Sequence, residues 1–218
     1  MTAPARDHPR QAGTVWARNL DEATPVITPL VEATFRRLGQ ESASALAIAM
    51  GTSQAEVYKR FDTGRSCYTA WVNGQIAAYG WVSIDEEFIG ELSLRLRLLP
   101  GEAYIWDCVT LPAFRQKRLF SALLVNMLHE LRLGPLCRVW IGADLDNVAS
   151  QHGIDRAGFH RVADLSVRHV LALRQVQVQT YPGVPESLLA EARRAFLGDR
   201  DGVWQAALSS AKSASAGS

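Results

Sequence analysis

The stretch AYIWDCVTLPAFRQKRLFSALLVNMLHELRLGPLCRVWIGAD, residues 103–144, decides how the chain is read. AYIWDCVTL is dense in aromatic and β-branched residues, as a strand is, and Pro112 closes it. From Arg118 the period changes. Leu119, Phe120, Leu123, Leu124, Met127, Leu128 and Leu131 fall on one helical face, whereas Ser121, Asn126, His129, Glu130 and Arg132 fall largely outside it. Gly134-Pro135 stops the helix, and CRVWIGAD supplies a second strand. Strand, basic turn, helix and strand make a right-handed β-α-β crossover between parallel strands.

Working outward, TVWARNL at 14–20 predicts a first strand. Apolar positions recur helically through PLVEATFRRLG, with Gly39 as its stop, and again through ESASALAIAM before Gly51. Ser53 and Glu56 have capping-box spacing and start a short helix. CYTAWVNGQIAAYGWVS holds two β-prone runs around Asn73-Gly74, a strong hairpin signal. The run ELSLRLRLL at 91–99 alternates like a half-solvated antiparallel strand, and Asp85, Glu86 and Glu87 before it read as a solvated turn. Residues 147–157 suit a helix interrupted by Gly153, FHRVADLSVRHVLAL at 159–173 a last long strand, and PESLLAEARRAFLG a final helix. The apolar side of that helix either packs back onto the core or serves a homodimer contact. These readings give a flexible leader at 1–13, one mixed α/β domain at 14–173, a helical extension at 174–206 and a flexible tail at 207–218.

The composition fits this. Across 218 residues, 48% are hydrophobic and 21% charged, so a mainly disordered chain is excluded. A formal net charge of +1 gives no reason to invoke a polyanion, so nucleic acid gets little support as a partner. No window approaches a membrane span, and the first residues lack the apolar core of a signal peptide, which leaves the cytoplasm by default. Cys67, Cys108 and Cys137 are widely spaced and suit reduced thiols buried as small hydrophobes.

The search for chemical motifs is mostly negative: no nucleophile elbow, Walker sequence, dinucleotide fingerprint or zincin motif occurs, and the histidines lack metal-ligand companions, so no metal is expected. Two features remain. RQKR at 115–118 precedes a helix start, where free N–H groups, the helix dipole and flanking cations form an anion site; the alternative is a solvated basic helix entrance. Asp107 sits inside a strand, with Ile105, Val109 and Leu111 as its period-two companions. A carboxylate there is either a general base or a structural aspartate satisfied by an arginine or a backbone N–H.

VTLPAFRQKRLFSALLVNML followed by DNVASQHGIDRAGF resembles the GNAT superfamily of acyl-CoA-dependent N-acyltransferases. Thr110, Leu111 and Pro112 match the end of that family's fourth strand, Arg115 to Phe120 fall on its pyrophosphate loop, and Asn147, Ser150 and Gly158-Phe159 match a later segment. The resemblance implies a GNAT-like single α/β domain, with a mixed and mainly antiparallel twisted sheet flanked by helices. It implies acetyl-CoA or another acyl-CoA as cofactor, held by Val109, Thr110, Leu111, Arg115, Gln116, Lys117, Arg118, Leu119, Phe120, Ser121, Asn147 and Ser150. It implies Asp107 as the base and direct attack by a small-molecule or peptide amine, with Ser150 orienting the cofactor or donating a proton. Tyr104 and His152 are reserve acid/base groups, and Trp16, Phe35, Tyr58 and residues 81–87 are positional candidates for the acceptor side. Three positions depart from the family pattern. Arg118 and Phe120 stand where the two loop glycines belong, and Ile154 where many members carry a tyrosine that protonates the leaving thiolate. The departures leave a second reading open, a weakly active or inactive CoA-binding or regulatory module.

Overall fold

The computed structural model describes residues 11–90, 94–170 and 173–197. Its strands are β1 (Gln11–Asn19), β2 (Thr34–Leu38), β3 (Ser66–Val72), β4 (Gln75–Ser83), β5 (Glu86–Ile89), β6 (Leu94–Arg97), β7 (Glu102–Thr110), β8 (Arg138–Asp144), β9 (His160–Val170) and β10 (Leu173–Thr180). Its helices are α1 (Ala43–Met50), α2 (Gln54–Asp62), α3 (Leu119–Arg132), α4 (Val148–Arg156) and α5 (Glu186–Leu197). Eight strands form one sheet in the order β10-β9-β1-β8-β7-β4-β3-β2, while β5 and β6 pair separately. Within the large sheet β7 and β8 run parallel, joined through α3, and the other described pairings are antiparallel.

Local chemistry accounts for several of these elements. Asn73 and Gly74 both take positive φ, 49° and 75°, as the tight β3–β4 turn demands. Ser53 caps α2 by accepting a hydrogen bond from the Glu56 N–H at 3.2 Å.

The two sheet faces are covered by different helices. Leu119, Leu123, Leu124, Met127 and Leu128 of α3 are buried against Ile105, Val139 and Ile141 on one face. On the other, α1 and α2 cover the β2–β4 end through Leu46 and Val57, beside Trp81. There, too, α5 covers the β8–β10 end through Leu189, Ala192, Ala195 and Phe196, beside Tyr104, Trp140 and Val178. Full burial of each large aliphatic side chain contributes about 2 kcal/mol, so α3 is firmly seated and its N-terminus is a fixed point.

Several elements depart from the sequence reading. The segment PLVEATFRRLG is not helical: residues 34–38 form edge strand β2, paired from Thr34↔Trp71 to Leu38↔Cys67. Its apolar spacing fits either structure, and pairing with β3 decides between them. Gln11–Gly13 belong to β1 and not to a leader, and residues 174–180 extend the sheet as β10 before the C-terminal helix begins. Gly153 does not interrupt α4. Glu86 and Glu87 lie in β5, and Glu87 is buried. Cys67 is buried, but Cys137 is exposed. The remaining residues of the proposed leader, and the tail at 207–218, lie outside the described residues.

Candidate active site

The site begins where two strands part. β7 and β8 pair from Glu102↔Arg138 to Ile105↔Ile141, and the pairing stops there. On its other edge β7 keeps to β4 through a bulge: Tyr79 pairs with Val109 and Trp81 with Trp106, so Asp107 and Cys108 together oppose Gly80. Asp107 takes φ 44°, an unusual value for a residue with a side chain. Gly80 makes room, because a Cβ there would stand 2.6 Å from Cys108 Sγ and 3.3 Å from Met127 Cε. The bulge turns β7 away from β8 and opens a cleft of about 470 Å³. Ile105 to Cys108 line one wall and Ile141 to Asp144 the other, with Phe120 at the start of α3 and Asn147, Ser150 and Ile154 on α4.

Charge in the cleft is paired. Asp107 Oδ2 accepts from Arg60 Nη1 at 2.5 Å, and the Arg60 guanidinium lies over Trp81 and Trp106, 5.2 and 4.8 Å from their ring centroids. Nearby, Arg65 holds the buried Glu87 through two hydrogen bonds of 2.7 and 3.0 Å. Ser83 donates to Glu87 at 2.6 Å and accepts from Trp106 Nε1 at 2.9 Å. Burial pushes the Glu87 carboxyl up, but the hydrogen bonds from Arg65, Ser83 and the Phe88 N–H outweigh it and hold the group below its ordinary value. Burial pushes the Cys108 thiol well up, with Asp107 beside it acting in the same direction, so this pocket-lining cysteine is no thiolate nucleophile. Burial first, then Asp107, pushes Tyr79 up to about 12.

Next to the cleft, the loop before α3 has the shape of an anion nest. Gln116 and Arg118 take positive φ, 62° and 60°, on either side of Lys117. Alternation of this kind turns successive N–H groups toward one side. Arg118 therefore adopts the conformation for which a glycine would ordinarily be used. Among the described residues, no acceptor meets the N–H groups of Gln116, Lys117 or Arg118, and the first N–H groups of α3 are free by helix geometry. The Lys117 carbonyl is occupied, accepting from Leu30 N–H at 3.0 Å. Arg115 and Lys117 fold back onto the carbonyls of Thr110 and Ala113, each at 3.3 Å, which keeps both cations beside the nest. The Thr110 hydroxyl, at the end of β7, is buried without a partner among the described residues.

Of the residues singled out from sequence, the cleft gathers Asp107, Phe120, Asn147 and Ser150. Asn147 caps α4 by accepting from the Ser150 N–H at 3.1 Å. Arg115, Gln116, Lys117 and Arg118 do not line it and lie in the loop that leads into α3. Leu119 and Ser121 turn into the core, where the Ser121 hydroxyl donates to the Gly153 carbonyl at 3.0 Å, so only their backbone faces the loop. Val109 and Thr110 complete β7 and Leu111 follows it, and none of the three lines the cleft. Tyr104 lines the cleft with Asp107, because the open wedge exposes both faces of β7. His152 is exposed on α4. Of the acceptor-side candidates, Trp16 and Trp81 are fully buried, Tyr58 is exposed and Phe35 packs on the core, and none of the four lines the cleft. Glu87, the last of the acceptor-side candidates at 81–87, does line it. Sequence reasoning missed Arg60, Phe88 and Gly13-Thr14 as lining residues; nothing local in α2 marks Arg60, because its partner lies 47 residues away.

A bulged central strand parting from its parallel neighbour, with a nest at the crossover helix, defines an acyltransferase-type architecture. The chain belongs to the acetyltransferase (GNAT) family, whose family model matches residues 30–159, more than half of it. Two solved structures share the fold. A GCN5-related N-acetyltransferase from Sphaerobacter thermophilus superposes with a TM-score of 0.51 at 15% identity, covering 72% of this chain and 50% of that one. A GNAT-family acetyltransferase from Colwellia psychrerythraea gives 0.50 at 15% identity, covering 71% and 55%. The chain thus spans about half the length of these two solved chains. No curated protein matches the sequence significantly.

Proposed function

We propose that the protein is an acyl-CoA-dependent N-acyltransferase that transfers acetyl, as the default acyl group, to a primary amine. The observation that carries this reading is the convergence of Asp107, Asn147 and Ser150 on one cleft whose lining reaches Phe120, two residues beyond the loop whose N–H groups meet no acceptor among the described residues.

The residues present suit the cofactor. The nest and Arg115, Lys117 and Arg118 would hold the pyrophosphate, and Asn147 and Ser150 would flank the thiol-bearing arm. When bound, acyl-CoA supplies an activated carbonyl. Asp107 takes the proton of the entering ammonium, directly or through water, through Oδ1, which no protein donor reaches among the described residues. The amine nitrogen would then bond to the carbonyl carbon as the carbon–sulfur bond breaks, and the second proton lost by nitrogen would pass to the departing sulfur through Ser150 or water, so that the one net proton released is the one that Asp107 took. Positioning supplies most of the rate, and no covalent enzyme intermediate is required.

Two observations favour the second reading, a CoA-binding regulatory module: the Phe120 ring at the start of α3, and the apolar Ile154 where a proton donor could stand. One pair of measurements tests both readings. CoA should raise the thermal midpoint, by mass action on the folded state, and Arg115→Ala with Lys117→Ala should abolish most of that shift. A screen of amines for free-CoA release should then give turnover. A midpoint shift without any amine-dependent release would select the module, and the absence of a shift in folded protein would defeat both.

A further inference from the structure

The charge pair in the cleft points to the chemistry of the acceptor, an inference that rests on the transferase reading above. A carboxylate meant to attract a simple cationic amine would stand alone. Here Asp107 is neutralised by Arg60 at 2.5 Å, so an entering ammonium meets a cation beside the anion, and the repulsion offsets the attraction.

Arg60 is also built in place. Its Nε lies 3.4 Å from Glu56 Oε1, Trp81 and Trp106 cover its guanidinium, and its side chain is 18% exposed. Of its donor atoms, Nη2 has no protein acceptor among the described residues, and of the oxygens on Asp107, Oδ1 has no donor. Both residues line the same cleft. A held guanidinium with an unused donor edge is what a carboxylate is recognised by. These two cleft-lining side chains, in contact with each other, thus carry one acceptor oxygen and one donor nitrogen without a partner among the described residues.

We infer that the acceptor is an α-amino acid with a free carboxylate, its ammonium on Asp107 Oδ1 and its carboxylate on Arg60 Nη2. A neutral zwitterion offers an opposite charge to each member of the pair and leaves the net charge of the site unchanged. Trp106, Phe88 and Ile89 line the same cleft and offer an apolar wall to its side chain. Arg60 is then the specificity-determining residue, and Asp107 keeps its role as proton acceptor.

The test uses the full chain with acetyl-CoA and the standard L-amino acids, each compared with its methyl ester and with the amine lacking the carboxylate. The best amino acid should exceed its ester and its amine in kcat/KM by about a hundredfold or more, because the ester leaves the Arg60 donor unpaired. It should also raise the midpoint of the CoA-bound protein where the ester does not. Arg60→Gln should erase the discrimination by lowering turnover of the amino acid alone, and Arg60→Lys should recover part of it. Equal turnover of amino acid, ester and amine overturns the inference, as does an equal loss on all three in Arg60→Gln. So does the absence of both release and midpoint shift with every amino acid. If Arg60→Gln does not fold, the wild-type ratio of acid to ester decides alone. CoA protection separates the two failures: its loss defeats the transferase reading, whereas protection with indifferent acceptors defeats only the zwitterion.

Discussion

Asp107 and Arg118 are the two side-chain-bearing residues whose backbone says most about the site, since both are held at positive φ, 44° and 60°. Such a conformation costs of order 1 kcal/mol or more and persists where the surrounding structure over-determines it. At Asp107 the bulge aims a carboxylate into the wedge. Asp107→Asn should lower turnover by about a hundredfold or more while leaving the CoA-induced midpoint shift in place; near-wild-type turnover would remove it from the mechanism. At Arg118 backbone and charge can be separated. Arg118→Gly keeps the left-handed conformation and should retain CoA protection, whereas Arg118→Val, a β-branched residue ill suited to positive φ, should lose most of it. Loss in both variants would show that the guanidinium, and not the nest, holds the anion.

At the scale of elements, the missing loop glycine is compensated on a different helix. Phe120 brings a ring to the start of α3, and α4 accepts it at Gly153, where a Cβ would overlap the ring carbons. Gly153→Ala should therefore destabilise the fold by about 1–3 kcal/mol through overpacking. In a Phe120→Ala background the same change should be neutral or stabilising, since alanine is favoured over glycine in a helix by about 1 kcal/mol. Denaturant midpoints of the four proteins give the coupling. Independent effects would mean that α3 and α4 do not meet through this pair. Gly80 plays the matching part in the sheet, and Gly80→Ala should loosen the β4–β7 bulge and with it the placement of Asp107.

For the whole molecule, the depressed carboxyls set the response to acid. Burial raises Glu87, yet Arg65, Ser83 and the Phe88 N–H outweigh it; burial raises Asp155 too, yet the hydrogen bonds from Arg161 and Trp16 outweigh it. A carboxyl whose value is lower in the folded than in the unfolded chain contributes stability above its unfolded value, and loses it as pH falls through the folded one. Thermal midpoints should accordingly drop between about pH 5 and pH 3. Glu87→Gln should be less stable at neutral pH and show a flatter acid limb. An unchanged limb would place the acid sensitivity elsewhere. Because Glu87 ties β5 to β4 through Ser83 and to the residue before β3 through Arg65, the same titration should loosen the wall of the cleft that carries Phe88.

The sequence by itself determined the crossover from β7 through α3 to β8, the β3–β4 hairpin and the α2 cap. In each, a short window contains both the hydrophobic period and its stop signal, Pro112, Gly134, Asn73-Gly74 or Ser53. It also placed the candidate side chains in chain order: Asp107 inside a strand, cations before a helix, Asn147 and Ser150 at the next helix start. Tertiary structure decided what depends on partners far along the chain. Residues 34–38 became a strand by pairing with β3, and Glu87 became a buried carboxylate because Arg65 and Ser83 reach it. The bulge opposite Gly80 is a register shift, invisible in either strand read alone. Arg60 is an ordinary helix residue until folding lays it over two tryptophans and sets it against Asp107. Periodicity and caps are local energies and can be read locally. Pairing, register and the compensation of buried charge are energies between distant residues, and they exist only once the sheet has formed.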